Sequence, residues 1–315
     1  MRSYRSYALG AALLSLALLA GACGSGGGEK TGGETKTLAS TFVFGAPPDC
    51  PTNPFCQIGL KNTYGIEFKQ VKPLDFGGPL TVSALKSGAI QVGELFSTSV
   101  YDPDFVVLED DKHLQAADNI VPVIREEVTS PDIEELLNGV SAALTTDGLL
   151  ALNRRIDIDQ EDPADVAKDF LTQANLLSST STTGQGTKLT VGVSGAFGES
   201  KLLAEMYAQV LENAGFEIKR QLDIEGRKVS DPALFSGEID IKPEYLASEA
   251  IQNDPKAKVS GDPTNNQTML SEILSAKGVK VLDFSPAADQ NVFVVTKATA
   301  TKYSLAKVSD LAKPA

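Results

Sequence analysis

The chain has 315 residues, with 28 Lys and Arg, 41 Asp and Glu, one His, three Cys and no Trp, for a formal net charge of −13. Apolar residues at 42% and charged residues at 22% mark a globular chain, and its length predicts two domains rather than one core. The negative charge argues against a nucleic-acid partner, which needs Lys and Arg against phosphate, and a single His cannot build a multi-histidine metal centre. No cofactor and no metal are expected.

Residues 1–22 carry Arg2 and Arg5 and no acid, followed by an apolar run over residues 8–20. That run is too short to span a bilayer and suits the core of a secretory signal. It ends in Leu19-Ala20-Gly21-Ala22-Cys23, which resembles the bacterial lipobox, so Cys23 is the expected lipidation site; an Ala-x-Ala cleavage at the same point is the alternative. Residues 23–37 are Gly-rich and polar and read as a flexible tether. The expectation is an extracytoplasmic protein, anchored to the cell membrane through lipid only. Cys50 and Cys56 then remain, six residues apart in a Pro-rich stretch, and outside the cytoplasm such a pair reads as a disulfide closing a small loop.

Along the body, two stretches echo each other. Gly65-Ile66-Glu67-Phe68-Lys69 returns as Gly215-Phe216-Glu217-Ile218-Lys219, and Ala84-Leu85-Lys86-Ser87-Gly88-Ala89-Ile90 returns as Ala233-Leu234-Phe235-Ser236-Gly237-Glu238-Ile239. Between the repeats, residues 132–144 and 162–177 predict helices, the second opened by Asp162-Pro163 as N-cap and first helical residue. Residues 178–187 are a Ser/Thr/Gly linker. The second repeat then reads as a strand at 188–193, a helix at 200–214 stopped by Gly215, a strand at 216–222, a short helix at 229–236 and a strand at 238–242. Alternating strands and helices predict an α/β fold of two lobes, each a mainly parallel sheet flanked by helices. Ligands in such sheets bind beyond the carboxyl ends of the strands, here residues 45–55, 95–100, 193–199 and 242–248.

Three motifs lie near those ends. Gly192-Val193-Ser194-Gly195-Ala196 has the strand-to-helix setting of a nucleophile elbow, which makes an extracytoplasmic serine hydrolase using Ser194 the enzymatic alternative, with His113 as its one possible base. The other reading of the same loop is a row of free N–H groups facing an anion or carbonyl. Asp75-Phe76-Gly77-Gly78-Pro79 is a turn before a helix, and Gly78 there would also allow close backbone approach to a ligand. Tyr245 follows a strand end in Lys242-Pro243-Glu244-Tyr245, as a ligand contact or a structural ring. Glu109, Asp110 and Asp111 lack EF-hand spacing and read as surface acid.

Phe197-Gly198-Glu199-Ser200, Gly237-Glu238-Ile239-Asp240 and Pro243-Glu244-Tyr245 resemble one lobe of the osmoprotectant (glycine betaine/choline type) substrate-binding lipoproteins of ABC transporters. Phe96-Ser97-Thr98 and Val107-Leu108-Glu109-Asp110-Asp111-Lys112-His113 resemble the other lobe. The resemblance covers residues 38–177 and 188–311, in the opposite order to the family, so the chain resembles a circular permutant in which residues 178–187 join the usual termini. It implies a type II periplasmic-binding-protein clamp, with one lobe split over 38–122 and 291–315 and the other continuous over 123–290. It further implies a monomer that closes on a small solute, a quaternary ammonium or polar osmolyte, and presents it to an ABC permease. Ligand contacts are expected at Ser194, Phe197, Tyr245, Ser248, Asn291, Asp118, Asn119, Asn53, Gly78, Ser97 and Thr98. Of the family's aromatic cage, Tyr245 matches one position; Asn291 and Asp118-Asn119 stand where the family has Tyr, and Asn53 where it often has Arg, which fits a more polar, hydrogen-bonding solute. A partner-binding or sensory lipoprotein on the same fold is the third reading.

Overall fold

The computed structural model describes residues 36–315 except 49, 76, 100, 101, 179–182, 196 and 197. The signal segment, all but the last two residues of the tether, the lipidation site Cys23 and the ligand candidate Phe197 therefore lie outside the described residues. In chain order the regular elements are β1 (Val43–Ala46), α1 (Gln57–Gly59), β2 (Gln70–Pro73), α2 (Pro79–Lys86), β3 (Val92–Phe96), β4 (Phe105–Val107), β5 (Ile120–Arg125), α3 (Pro131–Ala143), α4 (Thr146–Asp157) and α5 (Pro163–Gln173). They continue with β6 (Lys188–Ser194), α6 (Gly198–Asn213), β7 (Glu217–Ile224), α7 (Arg227–Ser236), β8 (Ile241–Tyr245), α8 (Leu246–Asn253), α9 (Pro263–Ser275), β9 (Val279–Val281), β10 (Asn291–Thr296) and α10 (Lys297–Tyr303).

The strands form two five-stranded sheets, ordered β2-β1-β3-β10-β4 and β7-β6-β8-β5-β9. In each sheet one strand runs against the rest: β10 pairs antiparallel with β3 and β4, and β5 with β8 and β9. These are the two strands that arrive from the other half of the chain. β5 follows β4 of the first sheet into the second, and β10 follows β9 of the second sheet into the first. The crossing segments touch each other, through a bridge between Asn119 and Ala288 and a bond from the Asp289 N–H to the Asp118 carbonyl (3.2 Å).

Each sheet has its own apolar packing. Phe44, Leu60, Ile66, Phe293 and Leu311 are buried on the first, while Leu137, Leu171, Leu203, Tyr207 and Ile241 are buried on the second. The periodic helix expected at 200–214 is α6, buried along most of its length because it packs on β6 and against α3 and α5. α5 starts where the Asp162-Pro163 pair placed it, the Asp162 carboxylate accepting from the Ala164 N–H (2.8 Å).

Two elements depart from the sequence reading. The strand expected at 238–242 lies three residues later, as β8. The Glu238 and Ile239 N–H groups are held by the Ala233 carbonyl at the end of α7, and the Asp240 carboxylate accepts from the Thr190 N–H and from Arg125, so the chain cannot extend until Ile241. Between the two expected helices stands a further helix, α4, capped by the Thr145 hydroxyl on the Gly148 N–H (3.1 Å).

The linker does not end loose. The Gly184 N–H bonds to the Ala214 carbonyl (3.0 Å), and a Cβ at Gly184 would meet the Phe216 ring at 2.3 Å, so only glycine fits under that ring.

Candidate functional site

A cavity of about 1020 Å³ opens among the strand ends and both crossing segments. From the first sheet it takes residues 52–55 of the Cys50–Cys56 loop, Phe96 and Thr98; from the second it takes Glu199 in the first turn of α6, Tyr245 and the start of α8; the crossings add Asp118, Asp289 and Gln290. This is the C-terminal rim of both sheets, where the alternating pattern placed a ligand. Cys50 and Cys56 are joined as a disulfide, and Phe55 and Asn53 project from the loop it closes to line the cavity.

Of the residues expected at the ligand, Asn53, Thr98, Asp118, Tyr245, Ser248 and Asn291 line the cavity. Four others do not, for reasons visible in their contacts. The Asn119 side chain is buried, its Nδ2 donating to the Ser285 carbonyl (2.9 Å), so it secures the crossing. The Ser97 hydroxyl accepts from the Gln290 N–H (3.0 Å) and donates to the Ala288 carbonyl (3.2 Å), bonding the first sheet to the second crossing. Gly78 is the residue before α2, and a Cβ there would meet the Asp75 carboxylate that accepts from Leu80 and Thr81, so its smallness serves a helix cap. Ser194 closes β6 in register with Ile224. His113 is exposed, and among the described residues no hydrogen bond joins it to Ser194, so no serine triad forms.

The polar chemistry gathers on carboxyl groups. Buried Glu199 accepts from the Tyr245 hydroxyl and from Asn153 Nδ2, which also donates to the Thr98 carbonyl (3.2 Å). The Thr98 hydroxyl donates to Asp289 Oδ1 (2.9 Å). Asp118 accepts from the N–H groups of Ala247 (2.8 Å) and Ser248 (3.0 Å) and from the Ser248 hydroxyl. Burial is the main cause raising Glu199, Asp289 and Asp118 above the ordinary carboxylate range, and the charge of Glu199 pushes Asp289 further up.

Beneath this wall lies a buried ionic cluster. The Lys242 ammonium contacts Asp231, Glu244 (2.8 Å) and Glu249 (3.5 Å), and Arg227 Nε contacts Glu244 (2.8 Å) and Glu249 (3.4 Å) while its guanidinium lies 5.7 Å over the Tyr245 ring. Three carboxylates whose oxygens lie within 4.8 Å would suit a metal ion, but the lysine ammonium already holds that place. Two cations face three acids there. Despite its burial, Glu244 is held down to about 2 by Arg227 and Lys242, whereas burial and the neighbouring Glu244 charge push Glu249 up to about 8. Sequence reasoning did not mark Glu199, Asn153, Asp289 or Arg227 as site residues. Glu199 stood inside a quoted motif, while Asn153 rode on the helix that was not anticipated.

Two α/β lobes joined by two crossing segments around a cavity at the strand ends define a fold of the type II periplasmic-binding-protein class. The family model for the substrate-binding domain of ABC-type glycine betaine transport systems matches residues 32–173 and 187–315, and the chain belongs to that family. The chain is 33% identical over 144 residues to the glycine-betaine-binding protein of Pseudomonas aeruginosa, covering 44% of this chain and 46% of that protein. It is 28% identical over 120 residues to the carnitine transport binding protein OpuCC of Listeria monocytogenes, covering 37% and 38%. The matched stretch thus spans less than half the length of each of these curated relatives. Among solved structures, an ancestral arginine-binding protein bound to arginine aligns over 87% of this chain and 91% of its own, at 14% identity and a TM-score of 0.38. The periplasmic domain of BvgS from Bordetella pertussis aligns over 88% and 41%, at 15% identity and a TM-score of 0.44.

Proposed function

We propose that this protein is an extracytoplasmic solute-binding component that captures a small osmoprotectant-like solute between its lobes and delivers it to an ABC importer. The observation that carries this reading is the cavity at the strand ends, bounded by both lobes and by both crossing segments. A site so placed couples occupancy to hinge closure, because a ligand touching both lobes favours the closed state by its extra contacts. Its ligand contacts are Asn53, Thr98, Asp118, Glu199, Tyr245, Ser248, Asp289 and Asn291. The protein acts as a monomer held to the membrane through a lipid on Cys23, after removal of residues 1–22, with residues 23–37 as spacer; among the described residues no helix is long and apolar enough to cross a membrane.

The chain is a circular permutant of its family, with one lobe split over residues 38–122 and 291–315 and the other continuous over 123–290. Two observations support this. The family match falls in two segments separated by the Ser/Thr/Gly linker. The segments near 36–38 and 313–315 also pair directly, the Leu38 N–H on the Lys313 carbonyl (2.8 Å) and the Ala315 N–H on the Lys36 carbonyl (2.8 Å), so both belong to the same lobe. Titration calorimetry of the purified protein against betaines, choline, carnitine, amines and polar amino acids tests the function. Saturable one-to-one binding of one of these supports solute capture; no heat from any of them, together with retention of a protein partner, refutes it.

A further inference from the structure

The cavity wall is unevenly charged. Asp118, Asp157, Glu199 and Asp289 line it against Arg227 and Lys228, and Arg227 is already engaged by Glu244 and Glu249. One part of its wall, formed by Glu199, Asp289 and Asn153, is rich in hydrogen-bond acceptors. Asn153 is 3% exposed; its Nδ2 is used on Glu199 and the Thr98 carbonyl, and its Oδ1 has no hydrogen-bond partner. A buried acceptor left open beside two carboxyl groups wants donors as well as positive charge. A methylated quaternary ammonium offers charge and C–H groups only, and is held best by aromatic faces. Here one face of Tyr245 is already taken by Arg227, and its hydroxyl is turned to Glu199.

We propose that the cleft selects a solute whose cationic head carries N–H donors, a primary ammonium or a guanidinium, held by Glu199, Asp289 and Asn153. The proposal rests on the solute-binding reading above and narrows its ligand. Such a head forms charge-assisted hydrogen bonds to both carboxylates, and Phe55 and Phe96, which also line the cavity, offer apolar surface to a methylene stem. Glu199 faces Tyr245, Asp157, Asn153 and Thr98, and Asp289 faces Glu199, Asp118 and Thr98; burial raises both carboxyl groups above the ordinary range, with Asp157 pushing Glu199 and Glu199 pushing Asp289 further up. An arriving cation favours the ionised form of both, so protons held by these raised carboxyl groups leave on binding and binding tightens as pH rises.

Calorimetry with agmatine, putrescine, glycine betaine and choline, each in two buffers of different ionisation enthalpy, tests the proposal. The expected result is that an amine or guanidine binds more tightly than either quaternary ammonium and releases protons, and that Glu199→Gln and Asp289→Asn each weaken it by roughly 100-fold. Thermal melts of both near-isosteric variants check that they fold, and proton release by the unaltered protein gives a readout independent of them. Tight binding of betaine or choline, insensitive to Glu199→Gln, overturns this inference and leaves the solute-binding function standing. Absence of binding by all four, with an uncharged solute or a protein partner bound instead, overturns it too.

Discussion

Replacing Lys242 by Met should be the most damaging single change outside the cavity. The ammonium is 1% exposed and sits among Asp231, Glu244 and Glu249, while its stem lies in β8. Met keeps the apolar stem and removes the charge. That leaves Arg227 alone against three buried carboxyl groups, and Arg227 reaches only Glu244 and Glu249. Breaking a buried ion pair from one side costs about 3–5 kcal/mol, since the remaining charge keeps its desolvation penalty and loses its partner. With a melting shift of about 2–4 °C per kcal/mol for a chain of this order, the variant should melt roughly 6–20 °C lower at pH 7. The sign of the pH dependence is a stronger check than the size. Without Lys242 the carboxyl groups are raised in the folded state, so their stability is greatest when protonated and is lost as pH rises. The penalty should therefore shrink between pH 7 and pH 5. Urea unfolding of both proteins at the two pH values measures it. A loss below about 1 kcal/mol at pH 7, or a penalty that grows on acidification, would refute the assigned role of Lys242.

Glu249 makes a related prediction of the same sense in the unaltered protein. Its carboxyl, raised to about 8, stays protonated in the folded protein where the unfolded chain has lost the proton, so wild-type stability should fall as pH rises from the ordinary glutamate range towards 8; Glu249→Gln should flatten that limb in urea titrations across pH 5 to 8, and an unchanged slope would refute it. The Cys50–Cys56 bond closes a loop with a sequence separation of 6, for which chain entropy gives about 2 kcal/mol. The Cys50→Ser, Cys56→Ser double variant should lose roughly that much stability and bind solute more weakly, because residues 52–55 of that loop line the cavity; unchanged affinity by calorimetry would assign the loop to stability alone.

Local signals carried much of the fold. Asp162-Pro163 marks the start of α5, and the spacing of Leu203, Met206, Tyr207 and Val210 marks α6, because caps and periodic apolar faces are properties of short segments. β8 was placed three residues early, since the bonds that hold Glu238 and Asp240 come from α7, Thr190 and Arg125, which are distant or across a turn. The site divides in the same way. Tyr245, Ser248 and Thr98 stand at strand ends that alternation could locate. The partnership of Asn153 with Glu199 joins residues 46 apart on different helices, and that of Thr98 with Asp289 joins residues 191 apart across a crossing. Lys242 and Glu244 did leave a local trace, as two charges inside β8, but nothing nearby shows that Asp231 and Glu249 also converge on the lysine.

The placement of the carboxyl groups explains how one ligand can govern two lobes. Asp289 lies on the second crossing segment and is bonded by Thr98 at the end of β3. Asp118 lies on the first crossing and is bonded by the start of α8, an element of the other lobe. The two crossings are themselves joined by the bond from Asp289 to Asp118. Each hinge segment thus carries an acid tied to a different lobe, with Glu199 of α6 across from Asp289. A cation seated among them attracts both lobes and both hinge strands at once. The attraction strengthens as water leaves, because the effective dielectric falls on closure. A neutral solute filling the same volume would gain contacts on each wall but no charge-assisted hydrogen bonds to Glu199 and Asp289. Under the proposed solute-binding reading, the acidic wall makes closure depend on the charge of what is bound.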